Sequence, residues 1–122
     1  MGFRHGHIRA VHQSLQNRAD AEIVAACEED QATYAQLLAE GKIHLTHDNF
    51  ERMLDETDAD IIAIGDYYGR RGALSIKALE NDKHIISDKP ICTSLMELDT
   101  IERLARDRGR AVGCQFSMRD NA

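Results

Sequence analysis

The sequence predicts an α/β fold built on a doubly wound parallel sheet. Short apolar runs alternate with amphipathic stretches along the whole length, the pattern that βαβ crossovers impose on a sheet covered by helices on both faces. Ile61-Ile-Ala-Ile64 is wholly apolar, as a strand buried on both faces should be. A low aromatic content of 5%, with no Trp, suits a helix-rich α/β chain better than an all-β one.

Each element has its own signal. Ile8, Val11, His12 and Leu15 recur at helical spacing, which predicts a helix over residues 6–17. Ala21–Cys27 reads as a short strand. Glu29 to Glu40 reads as a helix with Tyr34, Leu37 and Leu38 inward and Gly41 as its C-cap. Ile43–Leu45 is a brief strand, and Asp48 caps a short helix carrying Phe50, Met53 and Leu54. After the 61–64 strand, Arg71 to Glu80 forms a helix ended by Asn81 and Asp82, residues that tolerate the left-handed conformation. His84–Ser87 is the next strand. Ser94 caps a helix with Glu97 at its N3 position, a capping box, and that helix stops at Gly109. Ala111–Phe116 closes the series. The chain opens on a loop and a helix, with no strand before Gly2. A doubly wound sheet places its first strand centrally, so that strand is expected to be missing and residues 1–122 to be a single domain in fragment form.

Composition excludes several classes of function. The 15 Lys and Arg against 21 Asp and Glu leave a net charge of −6, which argues against a nucleic-acid binder. No apolar run approaches the roughly 20 residues of a membrane span, and no signal peptide is seen. Cys27, Cys92 and Cys114 are odd in number and widely spaced. They form neither a disulfide framework nor a zinc motif and suit a reducing cytoplasm. The histidines show no H-E-x-x-H or Cys/His pairing, so no metal site is expected.

The chemistry begins at the N-terminus. Gly2-Phe3-Arg4-His5-Gly6-His7 stands immediately before the first helix, where backbone N–H groups and the helix dipole favour a phosphate. Arg4, His5 and His7 offer charge or hydrogen bonds. If Gly2 is the first glycine of a G-x-G-x-x-G fingerprint, Arg4 and His7 take its second and third positions. Glu28 ends the next strand, about 20 residues on, where a carboxylate accepts from ribose hydroxyls. No Arg or Lys follows Cys27, so NAD is expected in preference to NADP.

The segment Ala78 to Pro90, ending Ser87-Asp88-Lys89-Pro90, resembles the helix-strand-E-K-P stretch of the Gfo/Idh/MocA oxidoreductases. Ala59–Ile64 and Val24–Glu28 are similar to two strands of that family's Rossmann domain, and Phe116-Ser117-Met118-Arg119 to its exit toward a substrate domain. The resemblance implies an NAD(P)-dependent dehydrogenase or reductase, a sugar- or cyclitol-like polyol as substrate, and a C-terminal substrate domain not contained in this sequence, through which the protein would form homo-oligomers. It places Lys89 near the nicotinamide and the reacting hydroxyl, where an ammonium favours a developing alkoxide, with Asp88 and Pro90 beside it. Departures are visible: Asp88 stands for the usual Glu, and Gly65–Arg71 replaces a loop that usually carries Thr-Pro and then His. In that loop Asp66 and Tyr67 are expected beside the cofactor, with Tyr67 or Tyr68 either packing against it or simply covering the sheet edge, and Arg70 is expected to reach an anionic substrate group. The chain alone is expected to be inactive and poorly stable, because its strands flank an empty position.

Two rival readings remain at this level. Asp66 after a buried strand, Glu28 with Glu29, and Lys89-Pro90 suggest a response-regulator receiver phosphorylated at Asp66, but only one helix and one strand separate Asp66 from Lys89, too few for that order. A non-catalytic NAD-sensing module fits the same residues.

Overall fold

The computed structural model describes residues 1–116, so Ser117, Met118 and Arg119 lie outside it. Five helices and three strands are present among these residues. In chain order they are α1 (Gly6–Leu15), α2 (Gln31–Glu40), α3 (Phe50–Glu56), β1 (Ile61–Ile64), α4 (Tyr68–Glu80), β2 (His84–Ser87), α5 (Leu95–Arg108) and β3 (Val112–Cys114). The sheet is parallel with order β1-β2-β3, and Ile61 pairs with His84 and Ile85 with Val112.

Strand periodicity explains the two-sided packing. Ile62 and Ile64 join Leu74, Ala78, Leu79, Ile85, Ile101 and Leu104 in one core cluster, beneath α4 and α5. Ala63, between them, packs against a second cluster of Phe3, Ile8, Ala26, Leu37 and Ile43, beneath α1 and α2. The α4/α5 face is thus well covered, but the other face is covered only in part: Ile61 is 53% and Ile86 37% exposed, so the 61–64 strand is not buried on both faces as its apolar run predicts.

Local chemistry sets the helix ends. Asp30 caps α2 by accepting from the Thr33 N–H, and Gly41 ends it at φ 66°. Asn49, not Asp48, caps α3, because its side chain reaches the Arg52 N–H. Ser94 caps α5 and Gly109 ends it at φ 63°. Asp82 takes φ 59° after α4, the left-handed geometry expected of it. Helix α4 starts three residues earlier than expected, at Tyr68.

Two expected strands are absent. Ala21–Cys27 and Ile43–Leu45 are irregular; the two segments meet just beyond, at a parallel bridge between Cys27 and His47, where Thr46 N donates to Ala26 O at 2.8 Å. The reason lies beside them. The slot between residues 23–27 and β1 is filled only at one end, by Met1–Phe3. There the Met1 amino group donates to Ala63 O at 2.7 Å, Gly65 N to Met1 O at 2.9 Å and Gly2 N to Cys27 O at 2.9 Å. The rest is a cavity of about 460 Å³, lined by Ile8, Leu15, Ile23, Val24, Ile61 and Ala63 among others. With no partner along that edge, residues 21–26 lack a ladder to straighten them. Val24 and Ile61 stay exposed, and Leu38 faces outward rather than in.

Gly65 sets the contact between α1 and the sheet: a Cβ there would overlap the Ile8 side chain. Gly65→Ala is expected to destabilise by about 1–3 kcal/mol, measured by urea unfolding. Burial pushes the Met1 amino group from its ordinary value near 8 down to about 6. Between those values the unfolded chain binds more protons, so stability rises from pH 6 to pH 8. Urea unfolding at pH 6 and pH 8 reads this slope, and stability that is flat over that range would contradict the burial of the Met1 amino group.

Candidate cofactor-binding rim

The C-terminal ends of the strands gather four segments into one rim: the 2–7 loop, Glu28–Asp30, the 65–71 loop and Asp88–Pro90. Gly2 makes the turn. Its φ is +76°, and a Cβ would lie 2.5 Å from the Asp66 backbone, so the loop touches the end of β1 as a first fingerprint glycine requires. Gly6, the first residue of α1, has open space where a Cβ would project. The α1 N-terminus has no side-chain cap and no acidic residue in its first turn. Its orphan N–H groups are thus left for a ligand anion. A dinucleotide pyrophosphate fits this cradle.

The other residues take more varied places than the sequence suggested. The Phe3 side chain is core, 3% exposed, and only its backbone joins the rim. Glu28 is fully buried. Its two oxygens accept from Phe3 N at 2.7 Å and Asp30 N at 2.8 Å, so it anchors the loop instead of presenting a carboxylate to a ribose. The acids half-exposed at that end are Glu29 and Asp30. Arg4 turns inward to Asp30 at 2.9 Å and Asp66 at 3.6 Å, so its charge is already matched. His5 is exposed.

Asp66 is fully buried. It accepts from Tyr67 N at 2.6 Å and from Arg70 at 2.8 Å, and no exposed oxygen is left for a phosphoryl group. Tyr67 and Tyr68 pack against each other, ring centres 4.2 Å apart and planes tilted by 44°, and both are exposed. Arg70 also pairs with Glu29 across the rim.

Asp88 links two segments remote in sequence. One oxygen lies 3.0 Å from His7 Nδ1 and accepts from Lys89 N at 2.8 Å; the other lies 3.3 Å from Arg71. Burial by itself would push the Asp88 carboxyl up, but the His7 hydrogen bond, the Lys89 amide and the Arg71 charge together hold it below the usual carboxylate range. Lys89 and Pro90 are exposed, joined by a cis peptide. Among the described residues no hydrogen bond or ion pair engages the Lys89 ammonium.

Arg71 is the residue that sequence reasoning missed. It is 2% exposed and donates to Asp66 O at 2.7 Å and Lys89 O at 2.5 Å. A signal was available: positions 71, 74, 75, 78 and 79 form the buried stripe of α4, so an Arg on that stripe must find carbonyls or acids at the strand ends. Cys27 is core, its thiol pushed up to about 12 chiefly by burial, which makes it a poor nucleophile.

Comparison with known proteins agrees with this geometry. The sequence matches the family model GFO_IDH_MocA, described as an oxidoreductase family with an NAD-binding Rossmann fold, over residues 2–116. A putative oxidoreductase from Erwinia carotovora atroseptica SCRI1043 superposes with TM-score 0.83 at 26% identity, over 97% of this chain and 35% of that one. The WlbA dehydrogenase from Chromobacterium violaceum, solved with NADH and UDP-GlcNAcA, gives 0.79 at 27% identity, over 95% and 34%. The myo-inositol 2-dehydrogenase from Lactobacillus plantarum gives 0.75 at 19%, over 92% and 33%, a likeness of fold. The chain thus spans about a third of these structures. No curated protein matches it. The family match sets aside the receiver reading, which the burial of Asp66 also opposes. With its parallel sheet, its glycine turn before an uncapped helix and its Asp88-Lys89-Pro90 corner, the chain belongs to the Gfo/Idh/MocA oxidoreductase family and forms its NAD-binding Rossmann fold.

Proposed function

We propose that the chain is the dinucleotide-holding part of an NAD-dependent oxidoreductase acting on a sugar- or cyclitol-like polyol. One observation carries this reading: the uncapped start of α1 and the Asp88-Lys89-Pro90 corner meet on one rim, joined by the His7–Asp88 contact of 3.0 Å. The UDP-sugar complex of a 27% identical dehydrogenase supports the substrate class.

Within this reading the α1 amides from Gly6 onward hold the pyrophosphate, with His5 and His7 beside them. Gly2, Phe3 and Glu28 fix the loop that positions those amides. Glu29 and Asp30 border the adenosine ribose, and Tyr67 borders the cofactor's aromatic surface. A nicotinamide cofactor held on this rim would supply hydride exchange with the substrate carbon. Lys89 donates a hydrogen bond to the substrate oxygen and favours its alkoxide form, and Asp88 fixes the Lys89 backbone through its amide. The acids at the ribose end favour NAD over NADP.

Gly6→Glu places a carboxylate at the cradle. It is expected to weaken NADH binding at least about tenfold, read by NADH fluorescence and calorimetry, with the circular dichroism spectrum retained. Wild-type chain that binds no NADH would overturn the reading. In a protein carrying this chain together with a substrate domain, Lys89→Ala should lower kcat by about 100-fold or more with NADH affinity little changed. Turnover that survives this change would remove Lys89 from the chemistry.

A further inference from the structure

The sequence places no cation after Cys27, but the fold brings two arginines to that end from elsewhere. Arg4 arrives on the N-terminal loop and Arg70 on the first turn of α4, 41 residues from its partner Glu29. Neither is free. Arg70 Nη2 is held by Glu29, and Arg70 Nη1 by Asp66 Oδ2 at 2.8 Å. Arg4 is held by Asp30 at 2.9 Å and by Asp66 at 3.6 Å. Glu28, Glu29, Asp30 and Asp66 supply four carboxylates around two guanidiniums, and Glu28 and Asp66 are fully buried. Glu29 is itself pinned, because its other oxygen accepts from Phe50 N at 2.7 Å. The Arg70 side chain nevertheless remains 42% exposed, so one face of a planar fork that suits phosphate stands at the rim.

An arginine beside the ribose is what accommodates a 2′-phosphate in dinucleotide sites. Here that arginine is present but neutralised. We propose that Arg70 is a masked ligand for a 2′-phosphate, and that Glu29 is the specificity-determining residue, keeping the mask closed and the site selective for the dinucleotide without that phosphate. The proposal rests on the cofactor reading above and extends it to one side chain. A dianionic phosphomonoester approaching Arg70 must displace the Glu29 carboxylate and remain close to it. With Glu29 neutral, the same guanidinium edge is available.

Glu29→Gln tests this, because the amide oxygen can keep the Phe50 contact while its NH2 group offers Arg70 no acceptor. Titrations of the full chain with NAD+ and NADP+ by calorimetry give the affinity ratio. The Glu29→Gln variant is expected to shift that ratio toward NADP+ by about tenfold or more, and the Glu29→Gln/Arg70→Gln pair to lose the shift. An unchanged ratio, or a shift that persists without Arg70, overturns the proposal. A measurement on the unmodified chain stands independently of whether the variants fold. Discrimination against NADP+ should shrink as salt rises from about 20 mM to about 500 mM, because half-exposed charges are screened over that range. Discrimination insensitive to salt overturns the proposal. Unmodified chain that binds neither dinucleotide overturns the underlying cofactor reading, a result distinct from binding with an unshifted ratio.

Discussion

The rim depends on one buried guanidinium. Arg71 sits 2% exposed on the inner stripe of α4, where an unpaired charge costs several kcal/mol. Its donors therefore have to be matched, and the partners that match them belong to different segments: the Asp66 carbonyl after β1, and the Lys89 carbonyl and Asp88 carboxylate after β2. Satisfying a single side chain fixes the separation of two strand ends. Asp88 passes the constraint on to His7 and so to the start of α1. The helix N-terminus and the lysine corner keep a common frame because that polar chain is continuous.

A second anchor operates at the other end of the rim. Glu28 accepts from Phe3 and Asp30, tying the N-terminal loop to the start of α2 with charge-assisted bonds. The carboxylate most readily assigned to a ligand is used for architecture, and the neighbours Glu29 and Asp30 take the solvent-facing positions. Two arginines then balance this acidic corner without leaving a free cation. A net charge of −6 over the whole chain describes the corner poorly, since what a ligand meets there is set by pairing.

Much of the fold was legible because its signals are local. The apolar run 61–64, the stops at Gly41 and Gly109, the Ser94 cap and the order of helices and strands all follow from residues within a few positions of one another. The family could be named from Asp88-Lys89-Pro90 and the order of the parts. Residues 21–27 and 43–45 were misread because strand propensity needs a partner, and the neighbouring slot offers one only at Met1–Phe3. The Asp48–Asn49 exchange is a one-residue ambiguity between two good caps. The roles of Glu28, Arg70 and Arg71 were not legible, because each is set by contacts with distant parts of the chain.

The wedge formed by Met1–Phe3 also bears on the order in which the molecule assembles. Its backbone partners lie at Cys27, Ala63 and Gly65, so the β1 edge of the sheet closes through contacts spanning more than half of the described chain. Such closures are entropically late. Residues 1–3 therefore take their place only once Cys27 on one side and β1 on the other have been brought together.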